Sequence, residues 1–329
     1  NASKVYGESD KEFTYTPSGL VGEDTLSDIT LSRAEGDNVG TYEITAAQKK
    51  DANPNYSVKF NKGTFTINPK EITVTITPNG GTYEGNIISA AAVLNGLVGE
   101  DKPEIILTYA GKANDGTEVN GTKTPVLAGT YTVTASITDS NYNLKAEGTT
   151  AEFVVTKATP GLSVAAVSDK SYGEGAFKLG VSNKGDGLKS YVSSNEKVVT
   201  VDEKGTVTIV GAGTATLTVS LAESANYTAD RKAVTVTVAP KEITVTADNQ
   251  KKIAGEADPV LTYTADGLVG EDTLSGITVK RKAGEKVGTY TVTVSQESGS
   301  NPNYRITFKK GTFTIQQADQ SKLKGKDVY

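Results

Sequence analysis

A stretch of 49 residues, Gly19–Ile67, returns as Gly267–Ile315 at a constant offset of 248 without a gap, and 30 of its positions are identical. Identity that dense over a domain-sized stretch means that one foldable unit has been copied, so the chain is an array before it is anything else. The shared landmarks are GLVGEDTLS (Gly19–Ser27, Gly267–Ser275), VGTY (Val39–Tyr42, Val287–Tyr290), NPNY (Asn53–Tyr56, Asn301–Tyr304) and KGTFTI (Lys62–Ile67, Lys310–Ile315). Carried back to Asn1, the offset still pairs Gly7, Glu8, Asp10 and Thr14–Thr16 with Gly255, Glu256, Asp258 and Thr262–Thr264.

Large and small side chains alternate with period two in FTYT (Phe13–Thr16), GTYEIT (Gly40–Thr45), YSVKF (Tyr56–Phe60) and GTFTI (Gly63–Ile67), which reads as strands. FNKGTF (Phe60–Phe65) reads as a hairpin turn, and VGEDTLSDI (Val21–Ile29) allows one short helical turn. Weaker forms of the landmarks follow Asn68-Pro69: KEITVTI (Lys70–Ile76), TYEG (Thr82–Gly85), GLVGED (Gly96–Asp101), AGTYTV (Ala128–Val133), NYNL (Asn141–Leu144) and EFVV (Glu152–Val155). This unit carries an insertion, KANDGTEVNG (Lys112–Gly121), whose two turn dipeptides predict an extended hairpin. The expected fold class is all-β, with four tandem small β-sandwich (Ig-like) or β-grasp-like domains at 1–69, 70–157, 158–239 and 240–317 and a polar tail at 318–329. Short, proline-containing joints predict an extended rod. Four units of about 35–40 Å give roughly 140–160 Å, and a scattering maximum near 80 Å would contradict this.

The chain has no Cys, His, Met or Trp. The usual zinc, copper, haem and iron–sulfur ligands are thereby missing, as are Ser-His-Asp and Cys-His catalysis. No cofactor is expected, and the chain is not expected to be an enzyme. Glycosidase chemistry needs only two carboxylates, but in a deep cleft for which units this small have little room. Acidic and basic residues are interspersed at a net charge of −5, so the clustered basic face that nucleic acid requires is absent. Apolar runs fall short of the 18 or so residues that span a bilayer. Without any Met, the chain reads as an excised piece of something longer.

Two constellations are candidates for chemistry. The carboxylate pairs Glu23/Asp24, Glu100/Asp101 and Glu271/Asp272 recur at one place in three units. Hard oxygens suit calcium, but the other oxygens of such a site cannot be named, and a solvated turn is the simpler reading. Of the 15 tyrosines, 13 fall on landmarks: Tyr6, Tyr83 and Tyr172 in the YG/YE start; Tyr15, Tyr109 and Tyr263 in the next strand; Tyr42, Tyr131 and Tyr290 in GTY; and Tyr56, Tyr142, Tyr227 and Tyr304 after Asn. A residue required at the same place in every copy is more simply a core or corner residue, with its ring buried and its hydroxyl on a backbone partner, than a sugar platform.

The third unit contains SSNEKVVTVDEKGTVTIVGAGTATLTV (Ser193–Val219), which resembles the bacterial Ig-like group 2 module, although Tyr191 stands where that family often has a strand-borne Trp. The YG start, GLV-x-x-D-T, VGTY and closing N-Y…GTFTI of the other units resemble, in this order, the MBG modules of bacterial adhesins. These resemblances imply an extracellular, non-catalytic stalk or spacer and adhesion region on a bacterial cell surface, monomeric and not inserted in the membrane. The alternative they leave is a module that binds host glycans or mucin-type glycoproteins, with Lys112–Gly121 as its contact surface. A last expectation concerns KEITVTA (Lys241–Ala247). Asn1 aligns with Asn249, downstream of that segment, so the first unit should present an unpaired edge or an unfilled groove and be the least stable.

Overall fold

The computed structural model describes residues 1–85, 87 and 89–319. It forms two compact units, Asn1–Ala158 with Ala225–Tyr227, and Thr159–Ser224 with Thr228–Tyr329. The chain is all-β, and no helix occurs among the described residues. Most of the predicted polar tail lies outside them.

The second repeat copy shows the plan most fully. Its larger sheet has the spatial order Gln250–Ile253, Gly311–Gln316, Gly288–Gln296, Ile277–Arg281, and its smaller sheet the order Tyr263–Asp266, Lys241–Ala247, Tyr304–Lys309. Alternation along each strand sends one set of side chains between the sheets. Ile243, Val245, Ala247, Val292, Phe313 and Ile315 form this core, while the intervening Thr and Glu face outward. The two-sheet sandwich is therefore the form taken, and the grasp-like alternative falls away.

The same plan is varied elsewhere. Residues 70–156 pair Gly81–Thr82, Thr150–Thr156, Gly129–Ile137, Ile105–Ala113 and Glu118–Gly121 in one sheet, and Tyr142–Leu144, Lys70–Thr77 and Ala91–Asn95 in another. The hairpin expected in the insertion is present, with Tyr109–Lys112 antiparallel to Glu118–Gly121. Residues 163–239 place Asp230–Ala239 and Gly213–Leu221 at the centre of a four-stranded sheet. There Tyr191 is half-buried against the core, so the Trp-to-Tyr departure keeps an aromatic ring in place.

The first copy repeats the larger sheet, in the order Ala2–Val5, Gly63–Asn68, Gly40–Gln48, Ile29–Arg33. Three expectations fail here. FTYT and YSVKF are not strands in this copy, although their counterparts are strands at Tyr263–Asp266 and Tyr304–Lys309. Those counterparts both pair with Lys241–Ala247, and a period-two segment without a partner forms no ladder. FNKGTF is not a hairpin turn: the corresponding strands Tyr304–Lys309 and Gly311–Gln316 lie in different sheets, and the chain crosses between them at Lys310. A two-residue hairpin would need positive φ at this point, and neither Gly63 nor Gly311 has it. Val21–Ile29 contains a turn, closed by Asp24 N–H donating to the Val21 carbonyl, and no helix.

One electrostatic cluster is copied with the fold. Arg281 lies over the rings of Phe313 (4.9 Å) and Tyr290 (5.7 Å) while its guanidinium donates to Asp258 at 2.5 and 2.9 Å and to Glu285 at 2.5 Å. Buried Lys252 meets the same two carboxylates at 2.8 and 2.5 Å. Arg33, Lys4, Asp10 and Asp37 repeat the arrangement. The hydrogen bond from Arg281, then that from Lys252, hold the Asp258 carboxyl down at about 2. The cluster pins the loop carrying Asp258 to the sheet.

Candidate functional site

The recurring tyrosines divide into two physical roles. Tyr42, Tyr131 and Tyr290, the GTY residues, each donate their hydroxyl to the carbonyl four residues upstream, at 2.7, 2.9 and 2.7 Å (Asn38, Leu127, Lys286). A ring packed on the core near the start of an interior strand, buried at Tyr131 and half-buried at Tyr42 and Tyr290, with its polar tip on backbone, is a corner device, as the sequence suggested.

The second role is at joints between successive sandwiches inside each compact unit, with the segment Ala225–Tyr227 making the same contacts within the first unit. In NPNY the first Asn braces its own loop: Asn301 accepts from Ser275 N–H at 3.0 Å and donates to the Ser275 carbonyl and to Gln296, both at 2.9 Å, and Asn53 does the same in the first copy. The second Asn reaches across. Asn303 Oδ1 accepts the Ala212 N–H at 2.8 Å, Asn141 accepts the Val39 N–H at 2.8 Å, and Asn226 accepts the Ala128 N–H at 3.0 Å. Each of these N–H groups precedes a Gly-Thr at the start of a long strand, so a single rule links all three.

The tyrosine after that Asn packs edge-to-face on the tyrosine of the preceding YG or YE start. The centroids of Tyr6 and Tyr142 are 5.3 Å apart, those of Tyr83 and Tyr227 5.3 Å, and those of Tyr172 and Tyr304 5.5 Å, with interplanar angles of 81–89°. In two of these joints a carboxylate receives both hydroxyls. Asp272 Oδ2 accepts from Tyr304 at 2.5 Å and Tyr172 at 2.8 Å; Asp101 Oδ2 accepts from Tyr6 at 2.9 Å and from Tyr142. Val269 and Val98 donate their N–H to Tyr304 and Tyr142. The YG glycine is required here: Gly173 sits at φ +89°, and a Cβ on it would lie 2.5 Å from Val269 Cγ2. Gly7 meets Val98 in the same way.

The candidate acidic pairs are thus split by the fold. Asp101 and Asp272 are half-buried acceptors in joints, whereas Glu23, Asp24, Glu100 and Glu271 are exposed. Asp24 accepts from Tyr56 at 2.5 Å in a shallow polar surface groove of about 430 Å³. Among the described residues no three carboxylates converge as a metal site would need. Burial first, then the Asp272 carboxylate, push the Tyr304 phenol up to about 12, and Tyr142 is raised to about 12 by burial and Asp101. A phenol held protonated in this way is the reverse of an activated base or nucleophile. Local pattern does not mark Asn141, Asn226 and Asn303 as bridging residues; their signal in the sequence is the Asn-Tyr dipeptide at 55–56, 141–142, 226–227 and 303–304.

Residues 1–66 and 243–314 match the model of the MBG domain (YGX type), residues 72–159 that of the MBG domain, and residues 172–223 that of the intimin immunoglobulin-like domain. The chain is a tandem of MBG modules with one Ig-like domain. Within the first of these matches, Tyr6 and Gly7 belong to the joint described above. No curated protein matches the chain. Among solved structures, domains 1–6 of the surface layer protein SbsC are 15% identical, over 86% of this chain and 45% of that one, at a TM-score of 0.24. BT4661, a SusE-like surface-located polysaccharide-binding protein from Bacteroides thetaiotaomicron, is 13% identical over 90% and 55%, at 0.22. The chain spans about half the length of two longer surface layer protein chains that it matches.

Proposed function

We propose that this MBG tandem is the non-catalytic stalk and adhesion region of a bacterial cell-surface protein, built of four modules at 1–69, 70–157, 158–239 and 240–317. The observation that carries the reading is the joint. The side chains repeated from module to module, Tyr-Gly, Asn-Tyr and Asp, are spent on one another, and their chemistry holds neighbours together without activating any group. The MBG and Ig-like family matches support a surface location. On this reading the purified chain gives no saturable signal on an array of host and mucin-type glycans.

The second reading, glycan binding through the insertion, has one observation in its favour. Asn114 anchors the base of the hairpin by donating to the Ala225 carbonyl at 3.1 Å, while Asp115–Glu118 at the tip are exposed. A saturable glycan signal that disappears when 115–118 are cut to a two-residue turn would replace the stalk reading with this one.

A further inference from the structure

In the module at 240–317 the chain enters and leaves through strands that run the same way. Lys241–Ala247 lies parallel to Tyr304–Lys309, and Gln250–Ile253, which continues it into the larger sheet, lies parallel to Gly311–Gln316. Parallel pairing of the first segments with the last puts entry and exit at opposite ends of the strands, so a pull on the two ends acts along the strands. Both loaded strands are interior. Lys241–Ala247 is held between Tyr263–Asp266 and Tyr304–Lys309, and Gly311–Gln316 between Gln250–Ile253 and Gly288–Gln296. A strand pulled across its axis at a sheet edge gives up its pairs one at a time, whereas one pulled lengthwise from between two neighbours must break both ladders together.

The module at 70–157 has the same arrangement. Lys70–Thr77 lies between Ala91–Asn95 and the parallel Tyr142–Leu144, and Thr150–Thr156 between Gly129–Ile137 and the parallel Gly81–Thr82. The entering residue is tied down in both modules: Lys70 N–H donates to the Asn141 carbonyl and Lys241 N–H to that of Asn303, each at 2.9 Å. No slack precedes them. Gly63–Asn68 passes into Lys70–Thr77, and Asp230–Ala239 into Lys241–Ala247, through a single proline, Pro69 or Pro240, whose ring fixes φ. The Ig-like domain is built otherwise. Residues 157–162, which hold one isolated bridge from Ala158 to Tyr227, precede its first strand, Ser163–Val164. That strand pairs in a two-stranded sheet with Val181–Ser182, and the parallel pairing with the last strand is confined to Lys170–Ser171 on Val238–Ala239.

We propose that the MBG modules at 70–157 and 240–317 are shear clamps that carry tension along the chain, and that the Ig-like domain between them in sequence yields first and lengthens under load. Forced unfolding is governed by the barrier to breaking the loaded ladders and not by equilibrium stability, so the ranking follows from how the end strands are held. The stalk proposed above supplies the tension, and the ranking rests on that reading only for its purpose. A glycan array tests the stalk, whereas force tests the clamps, so either can fail without the other.

The test stretches the full chain by handles at its two ends and reads the force of each unfolding step. At about 3.6 Å per residue, 70–156 releases about 310 Å, and 163–239 and 241–316 about 275 Å each. The last two are told apart with Thr244→Cys/Thr307→Cys. These positions are register partners on adjacent parallel strands of a chain without cysteine. A disulfide between them withholds 245–306 and shortens the step of its own module by about 225 Å. Forces are then read in the reduced chain. The step that oxidation shortens and the 310 Å step are expected at about 1.5-fold or more the force of the remaining 275 Å step. Thr244→Pro takes an N–H from the middle of the loaded strand and should bring the step of its module down to the force of the Ig-like domain or below. If amide exchange at 288–294 shows that this variant does not fold there, the order of steps in the reduced cysteine pair decides alone. A clamp step at or below the force of the Ig-like step, or a folded proline variant that yields at unchanged force, would overturn the proposal.

Discussion

Replacing Asp272 with Ala removes one carboxylate from under two tyrosine hydroxyls. Both donors converge on Oδ2, Tyr304 from within its own module at 2.5 Å and Tyr172 from the Ig-like domain at 2.8 Å. A hydrogen bond to a charged group contributes about 1.5–3 kcal/mol net. Because the carboxylate is half-buried and water replaces part of what is lost, the lower end applies to each, giving about 2–3 kcal/mol in all. For a unit of this size that is a fall of roughly 10–20 °C in the midpoint read through exchange at 263–266 and 304–309. Asp24→Ala is the internal control: the same landmark, an exposed carboxylate and a single hydroxyl, so the midpoint of the first module moves by a small fraction of that. A cycle of Tyr172→Phe and Tyr304→Phe should show coupling, since the two hydroxyls share one acceptor. Equal losses at Asp24 and Asp272, or additive tyrosine effects, would refute the view that the joint rather than the turn is what the acidic landmark serves.

Gly173→Ala should cost about 1 kcal/mol for its left-handed backbone plus about 1–3 for the collision with Val269, whereas Gly255→Ala, at φ +96° with open space around it, pays only the first; urea midpoints compare them. Asn303→Ala should destabilise the joint by about 1 kcal/mol, and Asn55→Ala, an exposed side chain, should leave the midpoint unchanged. On the acid side, the folded pKa of Asp258 is lowered to about 2 and that of Asp272 is also lowered. Their contribution is therefore complete above the unfolded value near 4 and is lost as pH falls from there toward 2, and Asp258→Asn should flatten that slope in acid melts. On the alkaline side Tyr304 and Tyr142 are raised to about 12, so their contribution is whole below pH 10 and fades between 10 and 12. Chelator and millimolar calcium should leave the melting temperature unmoved, and a rise of several degrees with calcium would show that the acidic pairs bind the ion.

The sequence alone determined the repeat, most of the period-two strands and the corner tyrosines, because each rests on local alternation or on comparing one copy with another. Tertiary structure decided what local pattern leaves open. FTYT and YSVKF have the same alternation in both copies, yet only the copy with a central strand between them makes a ladder, since pairing depends on a partner remote in sequence. FNKGTF looked like a hairpin because Lys-Gly follows a strand, but a turn residue does not say whether the next strand joins the same sheet or the facing one. The acidic pairs looked alike in all three modules. Only the placement of Tyr172 over Tyr304, and of Tyr6 over Tyr142, shows that Asp272 and Asp101 sit in joints while Asp24 faces solvent. That distinction depends on the neighbouring module, and a residue's own surroundings in sequence carry no record of it.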